Sequence, residues 1–143
     1  MVITLGKPNE LDAVQSFYNF CGYGGKPVAS EDLVLLAWNH DKIAGVVRLC
    51  PEEGFLCLRG MQVHPDHRRA GLGTRMLEKL TTLMGTQPCF CLPYEHLESF
   101  YGQIEFRRIE QGQLPPVLNP RLSSYLSGGL RVIAMSRIPR YGN

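Results

Sequence analysis

Residues 61–77 combine the residue types that bind an anion, because a predicted strand end leads into a basic turn and then into a helix. The turn contains Arg68 and Arg69 and continues through Gly71 and Gly73. The first amides of a helix have no acceptor within the helix, and the helix dipole adds positive potential at that end. We therefore predict a binding site for phosphate groups in this turn.

The glycine spacing of this turn argues against two common phosphate-binding classes. The run Gly71-Leu72-Gly73-Thr74-Arg75-Met76 lacks the third glycine of the dinucleotide fingerprint. It also lacks the Gly-Lys-Ser/Thr sequence of a P-loop. A Gly-x-Gly turn is weak evidence by itself, so the turn predicts an anion but does not identify it.

The hydrophobic pattern predicts strands and helices that would hold this turn in place. Alternating or continuous apolar runs predict strands, and apolar residues at helical spacing predict amphipathic helices. The wholly apolar run 88–92 follows the helix after the turn, so we expect a buried strand parallel to its neighbour. Residues 111–129 are predicted to be a long loop with a short helix at 121–126. The predicted strands are 2–5, 33–38, 43–50, 55–63, 88–92, 106–109 and 130–137, and the predicted helices are 10–21, 71–84 and 94–102.

Length and composition favour a single domain, residues 1–143, and limit its partners. The net charge of +2 is too small to predict nucleic-acid binding by bulk electrostatics, so no nucleic-acid partner is expected. The five cysteines are an odd number, which favours free thiols in a reducing compartment over a disulfide framework. No apolar run approaches the roughly 18 residues of a membrane span, and the N-terminus lacks a signal-peptide pattern. We expect a cytoplasmic protein with no membrane association.

Two motifs resemble those of a known family. The run Arg68-Arg69-Ala70-Gly71-Leu72-Gly73, preceded by Val63-His64-Pro65, resembles motif A of the GNAT superfamily of acyl-CoA N-acyltransferases, whose pattern is Gln/Arg-x-x-Gly-x-Gly/Ala. Residues 100–106 are similar to the family's Phe-Tyr-x-x-x-Gly-Phe, with Glu105 in place of the glycine. The order of predicted elements agrees over residues 2–138. The resemblance implies a GNAT-like α/β fold (α+β mixed sheet) of six to seven strands with helices on both faces.

The resemblance implies that acetyl-CoA is the co-substrate, and the spacing of the cysteines and histidines predicts no metal site. The amides of the motif A turn would hold the pyrophosphate, and glycine lets the backbone approach the oxygens closely. In the family, the strand before the motif splays from the next strand, and its free main-chain groups pair with the pantetheine arm. The residues that the resemblance assigns to acetyl-CoA are Met61, Gln62, Val63, Arg68, Arg69, Ala70, Gly71, Leu72, Gly73 and Thr74.

Tyr101 occupies the position at which many family members place a tyrosine that protonates the departing CoA thiolate. A phenol with a pKa of about 10 can protonate a thiolate with a pKa of about 8 to 9. The alternative is that Tyr101 packs beneath the cofactor without a chemical role. Candidate bases for the amine are Glu95, His96 and Glu53, with Glu95 as the assignment to be tested, and a water chain is the alternative.

One strand position suggests how the acceptor is bound. Arg59 lies two residues before Met61 and four before Val63, so a regular strand would place it on their face, toward the cleft. Two roles are open for this arginine. It either binds a carboxylate of the substrate or forms an ion pair with a glutamate such as Glu53 or Glu98.

The resemblance implies transfer of an acetyl group from acetyl-CoA to a primary amine, by direct attack without an acyl-enzyme. The acceptor is a small-molecule or peptide amine that the sequence does not identify. Loop 22–30 either borders the acceptor pocket or is a plain connector, and neither it nor loop 111–129 carries a transferable code. A different class of function is an acyl-CoA-binding sensor or assembly module without turnover. Dimers are common in the family, so a homodimer is one expected state.

Overall fold

A seven-stranded mixed sheet forms the centre of the fold in a computed structural model that describes residues 1–138. The strands are β1 (Val2–Leu5), β2 (Leu33–Asn39), β3 (Lys42–Glu52), β4 (Phe55–Val63), β5 (Cys89–Cys91), β6 (Arg107–Ile109) and β7 (Ala134–Arg137). Their order across the sheet is β1-β2-β3-β4-β5-β7-β6. Strands β4 and β5 run parallel, and the other neighbouring pairs are antiparallel. All seven predicted strands are present, with β7 shorter than predicted.

Helices cover both faces of this sheet. They are α1 (Leu11–Phe20), α2 (Leu72–Met84), α3 (Glu98–Gly102) and α4 (Asn119–Ser127). Helix α3 is shorter than the predicted helix because a 3₁₀ turn, Glu95–Leu97, precedes it. Within residues 1–138, no helix is both long and apolar enough to cross a lipid bilayer.

The two faces of the sheet are buried by different helices. Helix α2 packs its apolar stripe against Val47 and Leu49 of β3 and their neighbours. The alternate residues of the same strand, Val46 and Cys50, face α1 and α4 respectively. The mixed sheet with helices on both faces that the sequence predicts is therefore confirmed.

A β-bulge in β4 interrupts its regular alternation. Val46 of β3 pairs with Gln62, whereas Arg48 pairs with Arg59, so β4 contains one extra residue between these pairs. The bulge includes Gly60, whose φ of 66° is easily adopted by glycine and rarely by other residues. A residue before the bulge and one after it no longer follow a period of two.

This bulge makes the predicted face of Arg59, shared with Met61 and Val63, wrong, although Arg59 lines the cleft as predicted. Met61 and Val63 pack against the core beneath α2, on the face where Leu58 also lies. Arg59 instead donates a hydrogen bond to Tyr125 of α4, on the opposite face. The prediction assumed an uninterrupted strand, and one extra residue reverses which face each later side chain occupies.

The parallel strands β4 and β5 separate after a short ladder. Their pairing covers Leu56 with Cys89 and Cys57 with Phe90. Strand β4 then continues to Val63, and among the described residues its last part pairs with β3 alone. One main-chain edge of residues 61–63 therefore has no strand partner, as the family resemblance predicts for a splayed pair.

Residues 111–129 are more ordered than the predicted loop. They contain two 3₁₀ turns followed by α4, which is longer at both ends than the predicted short helix. Leu114, Leu118 and Leu122 recur every four residues and are buried against the sheet. The prolines of this segment favoured a loop, but Pro120 lies in the first turn of α4, where proline is tolerated.

The cysteines are free thiols, as the sequence predicts. Cys50, Cys57, Cys89 and Cys91 are buried in strands, and Cys21 is partly buried at the end of α1. Buried free cysteine behaves as a small apolar residue, so these thiols contribute packing to the core.

Replacing Glu105 with glycine is expected to stabilise the fold. Glu105 has a φ of 73°, and its side chain is exposed. A left-handed conformation costs a residue with a Cβ about 1–2 kcal/mol, and the entropy of glycine offsets about 0.5–1 kcal/mol of the gain. We expect Glu105→Gly to raise the free energy of unfolding by about 0.5–1 kcal/mol, measured by urea denaturation.

Glu105→Ala is the matched control, because it removes the charge and keeps the Cβ. It should leave the free energy of unfolding close to that of the natural protein. Equal stabilisation by both variants would contradict the backbone explanation.

Candidate active site

A cleft of about 450 Å³ opens where β4 and β5 separate. The end of β4 lines one part of it, and the chain that follows β5 lines another, together with Tyr101 of α3. Loop residues 22–25 and side chains of α4 complete the lining. Loop 22–30 is therefore a border of the cleft, which resolves one of the alternatives left open by the sequence.

The turn before α2 presents backbone amides without internal partners. Arg69 has a φ of 66°, Gly71 has a φ of 79°, and the helix begins at Leu72. The amide of Arg75 donates to the Gly71 carbonyl at 3.1 Å. Among residues 1–138, none accepts a hydrogen bond from the amides of residues 69–74. The backbone of the turn is therefore free to bind an oxyanion.

The basic side chains near this turn are used in different ways. Arg68 donates through Nε to the Val63 carbonyl at 3.0 Å, which fixes the turn against the end of β4. Arg75 donates to the Met1 carbonyl at 3.2 Å, so its guanidinium already has a partner within the chain. Arg69 is exposed and has no acidic partner within the described part of the chain. Arg69 is therefore the side chain of the turn that is most available to a phosphate.

Glycine is required at Gly71 and at Gly73 for different structural reasons. Gly71 caps α2 in a left-handed conformation, and a Cβ there would meet no other atom within 4 Å. At Gly73, in contrast, a Cβ would lie 3.1 Å from Cζ of Phe100 in α3. Gly71 therefore sets the backbone of the turn, whereas Gly73 allows α2 and α3 to pack closely.

Tyr101 is buried in α3 and borders the cleft, with 5% of its surface exposed. Burial raises the pKa of its phenol far above the usual value near 10, and the neighbouring Cys91 thiol acts in the same direction. The phenol therefore stays protonated across the physiological pH range. The protonated phenol can donate a hydrogen bond or a proton, and the raised pKa also makes it a weaker acid than a solvent-exposed tyrosine.

The carboxylates and the histidine considered as bases lie outside the cleft. The Glu95 side chain is 53% exposed, and its carboxylate lies 3.5 Å from the Arg108 guanidinium, because the turn before α3 carries it to the surface. Glu53 is exposed between β3 and β4, and His96 is exposed and stacks on Tyr94. Of the described residues that line the cleft, none is Asp, Glu or His. Within residues 1–138, no group of three or more His, Cys, Asp and Glu side chains is arranged to hold a metal ion.

Arg48, which the sequence analysis did not single out, fixes the loop that borders the cleft. Its guanidinium is fully buried and lies 2.9 Å from the buried carboxylate of Asp32. It also donates hydrogen bonds to the carbonyls of Lys26 and Pro27, at 2.7 and 3.1 Å. The sequence signal was present, because an arginine within the apolar run 43–50 indicates a charge that needs buried partners.

Two tyrosines connect this guanidinium to the cleft. Arg48 donates to the hydroxyl of Tyr18 at 3.1 Å and to the hydroxyl of Tyr23 at 3.3 Å. The Tyr18 hydroxyl in turn donates to the Gly60 carbonyl at 2.8 Å, within the bulge of β4. Tyr23 itself lines the cleft. The buried charge therefore holds both the loop and the bulged strand.

Helix α4 adds two polar side chains that the sequence did not connect with the site. Arg121 and Tyr125 line the cleft from adjacent turns of the helix. The guanidinium of Arg121 lies 3.6 Å from the Glu52 carboxylate and donates to Cys57 Sγ at 3.5 Å. Tyr125 accepts the hydrogen bond from Arg59 at 3.4 Å. The spacing of four within the predicted short helix was the signal that could have linked them.

Strands β4 and β5 separate beside a turn whose backbone amides have no acceptor, and such amides can bind an anion. A family model described as "Acetyltransferase (GNAT) domain" matches residues 30–108, which is more than half of the chain. The chain belongs to the GNAT acetyltransferase family, as its two motifs predict.

Solved structures with the same fold agree with this assignment. Rv2747 from Mycobacterium tuberculosis, in complex with CoA, has a TM-score of 0.75 at 16% identity, over 98% of this chain and 100% of that one. An aminoglycoside 6'-N-acetyltransferase complexed with coenzyme A has a TM-score of 0.72 at 16% identity, over 99% and 100% of the chains. The ribosomal-protein-S18-alanine N-acetyltransferase from Escherichia coli has a TM-score of 0.70 at 17% identity, over 99% and 96%.

Replacing Gly71 with alanine is expected to weaken CoA binding. The new Cβ meets no neighbour, but it disfavours the left-handed φ by about 1–2 kcal/mol and so misaligns the free amides. The Kd for CoA, measured by calorimetry, should rise about 5- to 30-fold.

Gly112→Ala is the matched control, since a Cβ there also meets no neighbour and Gly112 lies outside the turn. This variant should bind CoA with unchanged affinity. If Gly71→Ala does the same, these amides do not hold the pyrophosphate.

Proposed function

We propose that the protein is an N-acetyltransferase that transfers an acetyl group from acetyl-CoA to a primary amine. The observation that carries the proposal is the junction of β4 and α2. There, a main-chain edge of residues 61–63 that has no strand partner adjoins the free amides of residues 69–74. This combination suits a ligand with a pyrophosphate and an extended amide-containing arm. The family and the CoA complexes of two similar structures support the same ligand.

Each part of the junction has a distinct role in this proposal. The turn amides bind the pyrophosphate, and Arg68 and Arg69 add positive charge. The main chain of the strand end pairs with the pantetheine arm and directs the thioester toward Tyr101. The proposed acetyl-CoA residues are Met61, Gln62, Val63, Arg68, Arg69, Ala70, Gly71, Leu72, Gly73 and Thr74. The proposal treats residues 1–143 as one domain.

An amine acceptor is supported by the similar structures. One is named as an N-acetyltransferase of aminoglycosides and another as an N-acetyltransferase of a ribosomal-protein alanine. In the proposed reaction the neutral amine nitrogen attacks the thioester carbonyl carbon and forms a tetrahedral intermediate. The carbon–sulfur bond then breaks and the CoA thiolate takes the phenol proton of Tyr101. The proton lost by the amine passes to water, and water returns a proton to the Tyr101 phenolate. Binding both reactants in one cleft supplies much of the rate enhancement.

A cysteine acyl-enzyme forms no part of this mechanism. Cys57 and Cys91 line the cleft, but burial raises the pKa of both thiols. A thiol that stays protonated is a weak nucleophile. Direct transfer between the two bound substrates therefore fits the described residues better than a covalent intermediate.

A second candidate function is an acyl-CoA-binding module without turnover. It is favoured by the lack of Asp, Glu and His among the described cleft-lining residues. The two functions separate when the protein is incubated with acetyl-CoA and a panel of amines while free thiol is followed. Thiol release that requires an amine supports the transferase. CoA binding with no release from any amine supports the binding module.

Tyr101→Phe is expected to lower kcat by about a hundredfold while the affinity for acetyl-CoA is unchanged. The substitution removes the proton donor and keeps the ring that packs in the core. Thiol release at saturating substrates measures kcat, and calorimetry measures binding. Tyr94→Phe removes a hydroxyl from an exposed residue of the cleft and should cost far less. Unchanged turnover in Tyr101→Phe would leave this residue with a packing role alone.

The pH dependence of kcat/KM is expected to follow the acceptor amine. The described cleft lining has no carboxylate or imidazole, so the rate should rise tenfold per pH unit until the amine is neutral. The raised pKa of Tyr101 keeps its phenol protonated at alkaline pH, so Tyr101 adds no decline below about pH 10. A pH–rate series checks both statements. Glu95→Gln should give the same profile, and a change in the acidic limb would assign Glu95 as the base.

A further inference from the structure

We propose that the acceptor carries a carboxylate group, which Arg59 and Arg121 bind on the α4 side of the cleft. This inference rests on the proposed function, because it names the acceptor class of the same reaction. Both guanidinium groups line the cleft, and no Asp or Glu does so among the described residues. The side of the cleft that receives the acceptor is therefore cationic.

Arg59 is a partly buried cation without an acidic partner. Its guanidinium forms no ion pair within residues 1–138. The two glutamates considered as partners are elsewhere, since Glu98 lies 3.6 Å from Arg108 and Glu53 is exposed in a turn. The hydrogen bond to Tyr125 orients the group but supplies no negative charge. Most of its five N–H donors therefore remain available to a ligand.

Arg121 adds a second guanidinium that is held in place. Its Glu52 and Cys57 contacts, at 3.6 and 3.5 Å, fix the side chain, of which 22% is exposed. The two arginines and the one glutamate leave an excess of one positive charge at a site partly removed from water. A bound anion would compensate this charge, because partly desolvated cations favour a paired state. A carboxylate matches the planar donor fork of arginine with two parallel hydrogen bonds.

The position of these arginines limits the size and charge of the acceptor. Tyr101, which marks the proposed reaction centre, lines the same cleft of about 450 Å³. That volume must also hold the thioester end of the cofactor, so an amine and a carboxylate bound in it are close together. The geometry points to small amino acids as acceptors. Polyamines and other polycations would bring like charges toward the two arginines and are disfavoured.

Matched acceptor pairs test this proposal. Each of the common amino acids is compared with its carboxamide and with its decarboxylated amine, and a polyamine and an aminoglycoside complete the panel. Thiol release from acetyl-CoA gives kcat/KM for each. For at least one amino acid, we expect kcat/KM to be about 10- to 100-fold higher than for the two compounds that lack its carboxylate. This is the range for hydrogen bonds to a charged group.

Arg59→Gln should raise the KM for that amino acid about 10- to 100-fold and leave the KM for acetyl-CoA unchanged. It should also remove the preference over the carboxamide, an effect that a purely structural arginine would not produce. Arg59→Lys retains the positive charge but not the planar set of N–H donors, so its KM for that amino acid should lie between those of the natural protein and Arg59→Gln. The matched control is Arg107→Gln, an exposed arginine of β6 outside the cleft, which should leave every parameter unchanged.

Three outcomes would overturn the inference. Equal kcat/KM for amino acids and their carboxamides would show that no carboxylate is recognised, while acetyl transfer itself would stand. A preference that persists in Arg59→Gln would show that Arg59 does not recognise the carboxylate, which overturns the proposed pair of arginine ligands. No thiol release from any acceptor, with CoA still bound, would instead overturn acetyl transfer and the acceptor proposal together.

Discussion

The buried guanidinium of Arg48 determines how the cleft is assembled. A desolvated charge costs several kcal/mol unless it is fully paired, and removing one partner of a buried pair costs about 3–5 kcal/mol. The chain meets this requirement with acceptors from α1 and from the loop between α1 and β2. They are the side chains of Tyr18, Tyr23 and Asp32 and the carbonyls of Lys26 and Pro27. Neither segment can move away independently, so one charge keeps α1, the loop after it and β3 in register.

The same network extends to the strand from which the cleft opens. The Tyr18 hydroxyl bonds the Gly60 carbonyl, and a Cβ at that glycine would collide with the tyrosine. The bulge at this position turns Arg59 toward α4 and leaves Met61 and Val63 on the α2 face. One extra residue in β4 thereby separates the two proposed binding regions. In the proposed function, acetyl-CoA binds the edge of β4 and the turn before α2. The amine substrate binds side chains of α4 and Arg59 on the other face of the sheet.

These regions differ in how far they could be predicted. The region proposed to bind acetyl-CoA is continuous in the chain, so the motif at 68–73 and the strand before it were enough to propose it. The proposed pyrophosphate ligands there are backbone amides. A local glycine pattern indicates the backbone geometry that exposes them. The acceptor region combines residues 22–25, Arg59 and α4, which only the folded chain brings together. Glu95 shows that closeness in the sequence does not predict where a side chain points. It lies six residues before Tyr101, yet its carboxylate is at the surface beside Arg108.

The hydrophobic period, the placement of glycines and two motifs were sufficient to predict the strands along the chain, a mixed sheet with helices on both faces, and the family. These features depend on local propensity and on which residues avoid water. Three features required the folded chain: the bulge that moves Arg59 off the face of Met61 and Val63, the burial of Arg48, and the ordered turns that precede and extend the predicted helix within 111–129. Each results from a contact between residues far apart in the sequence. A hydrophobic pattern with a period of two does not show where one extra residue enters a strand. An arginine within an apolar run likewise does not indicate which residues will pair with it. The sequence therefore specified the turn that is proposed to bind acetyl-CoA, whereas tertiary contacts specified the charge of the proposed acceptor side.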